Sequence, residues 1–168
     1  RPGAGYQDGV LRDLLDQGTD SLQVMVEFCR KNKLEVFWSM RMNDTHDAKN
    51  PLLRATMKAE HPEYLIGGGK KPKYGQWTAV DFGNADVREL VYRYIEEVCT
   101  NYDVDGVEMD FFRHPVLFKS HAFGGVASDE ERALLADLIR RIREMTDAIG
   151  RKRGKPILLA TRVPDSVE

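Results

Sequence analysis

Glu108 and Asp110 lie two residues apart in Val104-Asp105-Gly106-Val107-Glu108-Met109-Asp110-Phe111-Phe112-Arg113-His114-Pro115. If that segment is extended, side-chain alternation sends both carboxylates out of the same side of the strand. Such a pair suits acid–base or nucleophilic chemistry. One carboxylate stays ionised as nucleophile, or as stabiliser of a cationic transition state, while the other orients it or carries a proton. Two further strand-like segments, Leu34–Arg41 and Pro156–Arg162, also end in charge. Phe37, Ser39 and Arg41 share one parity, and so do Leu158, Ala160 and Arg162. The ends Arg41, Asp110 and Arg162 would therefore converge. A guanidinium beside Asp110 favours its ionised form, and the same arginines could grip hydroxyls or a carboxylate of a substrate. The competing structural reading is a plain ion pair between these groups.

Polar residues follow the strand ends. Asn43, Asp44, His46 and Asp47 come after the first, Arg113 and His114 after the second, and Asp81 closes a possible short strand at Thr78–Phe82. With Arg41 and Arg162 these form the candidate substrate-binding set: Arg41, Asn43, Asp44, His46, Asp81, Arg113, His114 and Arg162. Phe111 and Phe112 beside carboxylates suit a sugar, whose ring offers an apolar face and a rim of hydroxyls. Asp44, His46, Asp47, Glu108, Asp110 and His114 have metal-ligating chemistry. The chain shows no His-x-His or His-Glu-x-x-His spacing, and two arginines beside the site oppose a cation. The reading therefore takes no metal or other cofactor. A metal-dependent hydrolase or isomerase using Glu108, Asp110 and a histidine is the alternative.

The elements that must hold these groups read as alternating helix and strand. Asp20 or Thr19 caps a helix carrying Leu22, Met25, Val26 and Cys29 at helical spacing. Asn84 caps a second, with Val87, Leu90, Val91, Tyr94, Ile95 and Val98 on one stripe, running to about Tyr102. Ser128-Asp129-Glu130-Glu131 matches a capping box before a third, with Gly150 and Gly154 as stop signals. A shorter helix is expected around Leu52–Ala59, and a helical turn near Val10–Leu15 within a loop spanning residues 1–19. Pro156–Arg162 reads as a buried strand. Gly67-Gly68-Gly69-Lys70 lacks the Gly-Lys-Ser/Thr ending and preceding strand of a phosphate loop and reads as an excursion. Cys29 and Cys99 fall on apolar stripes, as small buried hydrophobes. Helix–strand alternation implies a parallel sheet with ligands at the carboxyl ends of its strands.

Composition narrows the function classes. The 168 residues are 42% hydrophobic and 31% charged, with a formal net charge of −2. That makes an ordinary globular domain, expected as one unit over 1–168, with no electrostatic pull toward nucleic acid or an anionic membrane. No apolar run approaches membrane-spanning length. The start, Arg1-Pro2-Gly3, lacks a signal-peptide pattern, which leaves the compartment open, a secreted or periplasmic soluble protein included.

The phrase Tyr102-Asp103-Val104-Asp105-Gly106 leading into Glu108-Met109-Asp110 resembles bacterial glycosyl-hydrolase-like barrel proteins. His61-Pro62-Glu63-Tyr64 and Val80-Asp81-Phe82-Gly83-Asn84-Ala85-Asp86-Val87-Arg88 resemble the same group, so the likeness spans most of residues 20–120. It implies a (β/α)8 TIM barrel acting on carbohydrate, with Asp110 at the end of strand four. Chitinase-like enzymes place a catalytic glutamate two residues beyond that aspartate. Here the position is Phe112, so that mechanism does not carry over. The likeness to α-galactosidase-type barrels does, and it gives Asp110 the nucleophile's role. A non-catalytic carbohydrate-binding barrel is the further alternative. A full barrel needs about 250 residues. The chain is thus expected to be a partial α/β barrel, roughly strands two to five, with open edges able to self-associate.

Overall fold

The computed structural model describes residues 8–164, the side chains of 8–10 excepted. Helix α1 (Asp8–Asp16) is followed by α2 (Ser21–Lys31), whose cap Asp20 accepts from the Leu22 and Gln23 N–H groups. Strand β1 (Phe37–Arg41) leads into a long polar connection containing the short α3 (Thr56–Glu60) and three single 3-10 turns. Then come α4 (Ala85–Asn101), β2 (Gly106–Asp110), α5 (Lys119–Ala122), α6 (Asp129–Arg153) and β3 (Leu158–Arg162). Asn84 caps α4 through the Asp86 N–H, and the Ser128–Glu131 capping box opens α6 as expected. α6 runs through Gly150 and stops at Gly154, whose left-handed φ of 70° suits glycine at this position. Of the loop expected over residues 1–19, Asp8–Asp16 form the helix α1, longer than the turn expected near Val10–Leu15, and residues 1–7 lie outside the described residues.

The sheet is parallel, in the order β1-β2-β3. α4 connects β1 to β2 and α6 connects β2 to β3, so each crossover is helical, as parallel pairing requires. Val107 and Met109 of β2 are buried. They share one apolar cluster with Val87, Val91, Ile95 and Val98 of α4 and Leu138, Ile142 and Met145 of α6. Residues of the other parity, Phe37, Ser39, Arg41, Glu108 and Asp110, form the opposite face of the sheet.

Two expectations are corrected. Thr78–Phe82 is not a strand of the sheet: Val80 makes one isolated antiparallel bridge to Leu65, and the sheet described has three strands. Its neighbours Trp77 and Ala79 accept bonds from Gly67 and Ile66, so the segment ties down the β1–α4 connection instead. β3 is parallel but not buried. Leu158, on the face shared with Glu108 and Asp110, is 48% exposed, and β3 is an edge strand among the described residues.

The amino-terminal ends of the strands are clamped by the two aspartates of the Tyr102–Gly106 phrase. Asp105 Oδ2 accepts from Arg30 Nη1 (2.7 Å) and the Val36 N–H (2.8 Å), while Oδ1 pairs with Lys155. Its backbone N–H donates to Val36 O and its carbonyl accepts from the Leu158 N–H, so one residue sutures all three strands. Asp103 pairs with Arg30 and Arg153. Burial alone would raise the Asp105 pKa, but the bonds from Arg30, Lys155 and Val36 outweigh it and hold the group far below the usual carboxylate range.

Candidate active site

At the carboxyl ends of the strands the register is direct: Arg41 pairs with Asp110, and Asp110 with Arg162. Register partners in a parallel ladder share a face, so the three charged ends stand in one row, as their parity predicts. One step inward, Ser39, Glu108 and Ala160 form the next row, and Ser39 Oγ donates to Glu108 Oε1 at 2.8 Å. The first row, Phe37, Gly106 and Leu158, has no room for a side chain at its centre. A Cβ on Gly106 would sit 2.4 Å from the Phe37 ring and 2.8 Å from the Leu158 carbonyl.

Asp110 is 4% exposed. Its Oδ1 accepts from the Phe112 N–H at 3.0 Å, an Asx-type turn that ends the strand, and its Oδ2 lies 3.8 Å from Arg162 Nη1. At that distance the two charges attract without a hydrogen bond. Arg162 in turn lies over the exposed Phe112 ring, 5.2 Å from its centroid, a cation–π contact. Arg41 does not complete the triad by contact. Its Nη1 is 3.9 Å from Asp44 Oδ2, so it leans toward the loop.

A second group sits on the rim. Asp44 Oδ1 bonds the His46 ring through Nδ1 and accepts from the His46 N–H at 3.1 Å. Burial would raise the Asp44 pKa, but the His46 bonds, with the charges of His46 and Arg41, bring it below the ordinary value. The His114 ring is 6.0 Å from that of His46, edge to face, and Thr45 Oγ1 lies 3.1 Å from its Nδ1 and 3.2 Å from its Nε2. Burial is the main reason the His114 pKa is lowered. The positive charges of His46, Arg113 and Arg41 act the same way, against the attraction of Asp44. Arg113 itself is exposed.

The remaining expected residues are placed otherwise. Asn43 is buried. Its amide donates to the Val80 and Val116 carbonyls and its oxygen accepts from the Val80 N–H, so every part of the group is taken by backbone. Asp81 accepts from the Gly83 and Lys119 N–H groups, with Lys119 Nζ 3.8 Å away. Both are clamps between loops, a role the sequence reading did not assign them. Asp47 is 4% exposed and neutralised by Lys58 at 3.1 Å and Arg54 at 3.8 Å.

Ser39 and Thr45 contact candidate residues and lie outside the set expected from the sequence. Ser39 shares the parity of Arg41, which could have flagged it, whereas the sequence carries no signal for the Thr45–His114 contact. Among the described residues, the His, Cys, Asp and Glu side chains whose ligand atoms converge are Asp44, His46 and His114. Glu108 and Asp110, the ligands of the metal-dependent alternative, are not in that group.

Comparison with known proteins gives this geometry a family. Residues 4–127 match the family model described as glycosyl hydrolase-like 10. A curated relative, the glycosyl hydrolase YngK of Bacillus subtilis (strain 168), is 29% identical over 119 residues, covering 69% of this chain and 22% of that protein. Among solved structures, alpha-L-fucosidase isoenzyme 2 from Paenibacillus thiaminolyticus superimposes with a TM-score of 0.55 at 19% identity, over 84% of this chain and 22% of its own. The alpha-galactosidase from Lactobacillus brevis gives 0.53 at 14% identity, over 84% and 18%. The chain thus spans about a fifth of the proteins it matches. At these identities the solved structures speak for the fold, a partial (β/α)8 barrel. The family model covers well over half of the sequence, and the chain belongs to the glycosyl hydrolase-like 10 family.

Proposed function

We propose that this chain supplies three adjacent strands, and part of the active site, of a (β/α)8 glycoside hydrolase acting on a carbohydrate. Asp110 is the nucleophile or the stabiliser of an oxocarbenium-like transition state. Glu108, oriented by Ser39, positions it or carries a proton. Arg41, Arg113 and Arg162 hold substrate hydroxyls or a sugar carboxylate, His46 and His114 stand at the rim, and exposed Phe112 offers an apolar surface to a sugar ring. One observation carries this reading: the in-register row Arg41–Asp110–Arg162 at the carboxyl edge of a parallel sheet. That edge is where barrel enzymes do their chemistry. Asp110 is buried there while both arginines stay about half exposed, and a buried carboxylate needs a reason beyond packing, since desolvating it costs several kcal/mol.

The chemistry follows from the charges. A carboxylate below the departing sugar opposes the positive charge growing on its anomeric carbon, and a proton must reach the leaving oxygen from a second acid. The separation of the two carboxyl groups decides the stereochemistry, about 5 Å for retention and about 6.5–9.5 Å for inversion. The full-length protein should be assayed against a panel of glycosides and polysaccharides, with product anomers followed by NMR. Cleavage of at least one member with a single anomeric outcome is expected. Binding of sugars without turnover of any would instead favour a non-catalytic carbohydrate-binding barrel.

A further inference from the structure

We infer that Asp44, His46 and His114 form a transition-metal site of the zinc class, which staples the β1–α4 connection to the β2–α6 connection at the rim of the barrel. Their ligand atoms, one from each residue, lie within 4.8 Å of one another. Donors around a tetrahedral zinc ion stand about 3.4 Å apart, from bond lengths of about 2.0–2.1 Å. The widest gap therefore closes by little more than an ångström, a movement the exposed side chains of Asp44 and His46 make by rotation. Two imidazoles and a carboxylate select zinc, nickel or copper over magnesium and calcium, which want oxygen donors. Three protein ligands also leave a fourth position open to water.

Two neighbouring contacts fit this assignment. Thr45, 3% exposed, places its hydroxyl against the His114 ring nitrogens. The hydroxyl stands 3.1 Å and 3.2 Å from the two nitrogens and so holds the ring in place, the kind of support a ligating histidine has. Arg41 approaches Asp44 through Oδ2, while Oδ1 faces His46. The charge of the arginine weakens the site, but at 3.9 Å it holds no hydrogen bond to Asp44. Asp47, although in the same loop, is neutralised by Lys58 and Arg54 and stays out.

The assignment is independent of glycosidic cleavage, and its test is metal uptake. The full-length protein, stripped with chelator, is titrated with zinc chloride in a calorimeter, and cobalt(II) uptake is followed by visible absorption. One equivalent should bind saturably, with a cobalt spectrum of a four- or five-coordinate ion. His46→Ala and His114→Ala should each weaken binding by about tenfold or more, and Thr45→Val by about tenfold. Asp110→Asn should still take up the metal. Absence of saturable uptake, or uptake unchanged in both histidine variants, overturns the site and leaves the assignment of Asp110 untouched.

Discussion

The Ser39–Glu108 bond is the contact through which a neutral side chain directs a candidate catalytic one. Ser39 is exposed and packs little, so Ser39→Ala should leave the unfolding midpoint nearly unchanged. It should lower kcat/KM for glycoside cleavage by roughly tenfold, the equivalent of one hydrogen bond to a charged group. Steady-state kinetics beside a denaturation curve separates the two effects, and an equal loss of stability and rate would make Ser39 merely structural. Parity made the inward row legible from the sequence, because Arg41, Asp110 and Arg162 needed only their strand positions to be aligned. Asn43 and Asp81 were not legible in the same way. Their partners, Val80, Val116 and Lys119, are 37 or more residues away, and which backbone groups a loop leaves unsatisfied is a tertiary fact. Asp44, His46 and His114 were singled out one by one, but their convergence depends on how two loops fold back.

At the scale of elements, the strands are held from both ends. At the amino-terminal end, Asp105 joins α2 to the residues leading into β1 and β3 through Arg30, Val36 and Lys155. Its pKa is lowered in the folded chain, so the cluster contributes fully above the unfolded value of about 4 and loses its contribution as pH falls through the folded value. Asp105→Asn should therefore cost about 2–3 kcal/mol near pH 7 and flatten the acid limb of stability below about pH 4, read from urea midpoints across pH. Loss of the same amount at every pH would contradict a charge-based clamp. Within the sheet, Gly106→Ala would press a methyl group into Phe37 and the Leu158 carbonyl. A destabilisation of about 2 kcal/mol or more is expected, since the backbone oxygen cannot move aside. The helices, by contrast, were readable down to their caps. Asp20, Asn84 and Ser128 all act locally, within three residues of the groups they satisfy, and local rules are what a sequence displays. Thr78–Phe82 misled because β-forming residues fit a lone bridge as well as a barrel strand.

For the whole molecule, three parallel strands make an arc rather than a closed barrel. β1 and β3 present unpaired outer edges among the described residues, while Met25, Phe28 and Leu158 are about half exposed. In a complete barrel, further strands and helices would cover these faces. If the segment is expressed by itself, sedimentation velocity should show species larger than a 19.2 kDa monomer, with strong binding of a hydrophobic dye. A monodisperse monomer without dye binding would mean that the exposed faces are tolerated in water. The partial barrel also explains why the strand-end row looks incomplete. It offers a row of carboxylates, arginines and an aromatic ring, and on the proposed function the proton donor is either Glu108 or an acid on strands beyond these three. The most direct measurement is the turnover number of Asp110→Asn in the full-length protein on whichever glycoside the wild type cleaves. The account expects a fall of about a thousandfold or more with the circular dichroism spectrum and unfolding midpoint preserved. Turnover equal to wild type would remove Asp110 from the mechanism and leave the chain as a scaffold.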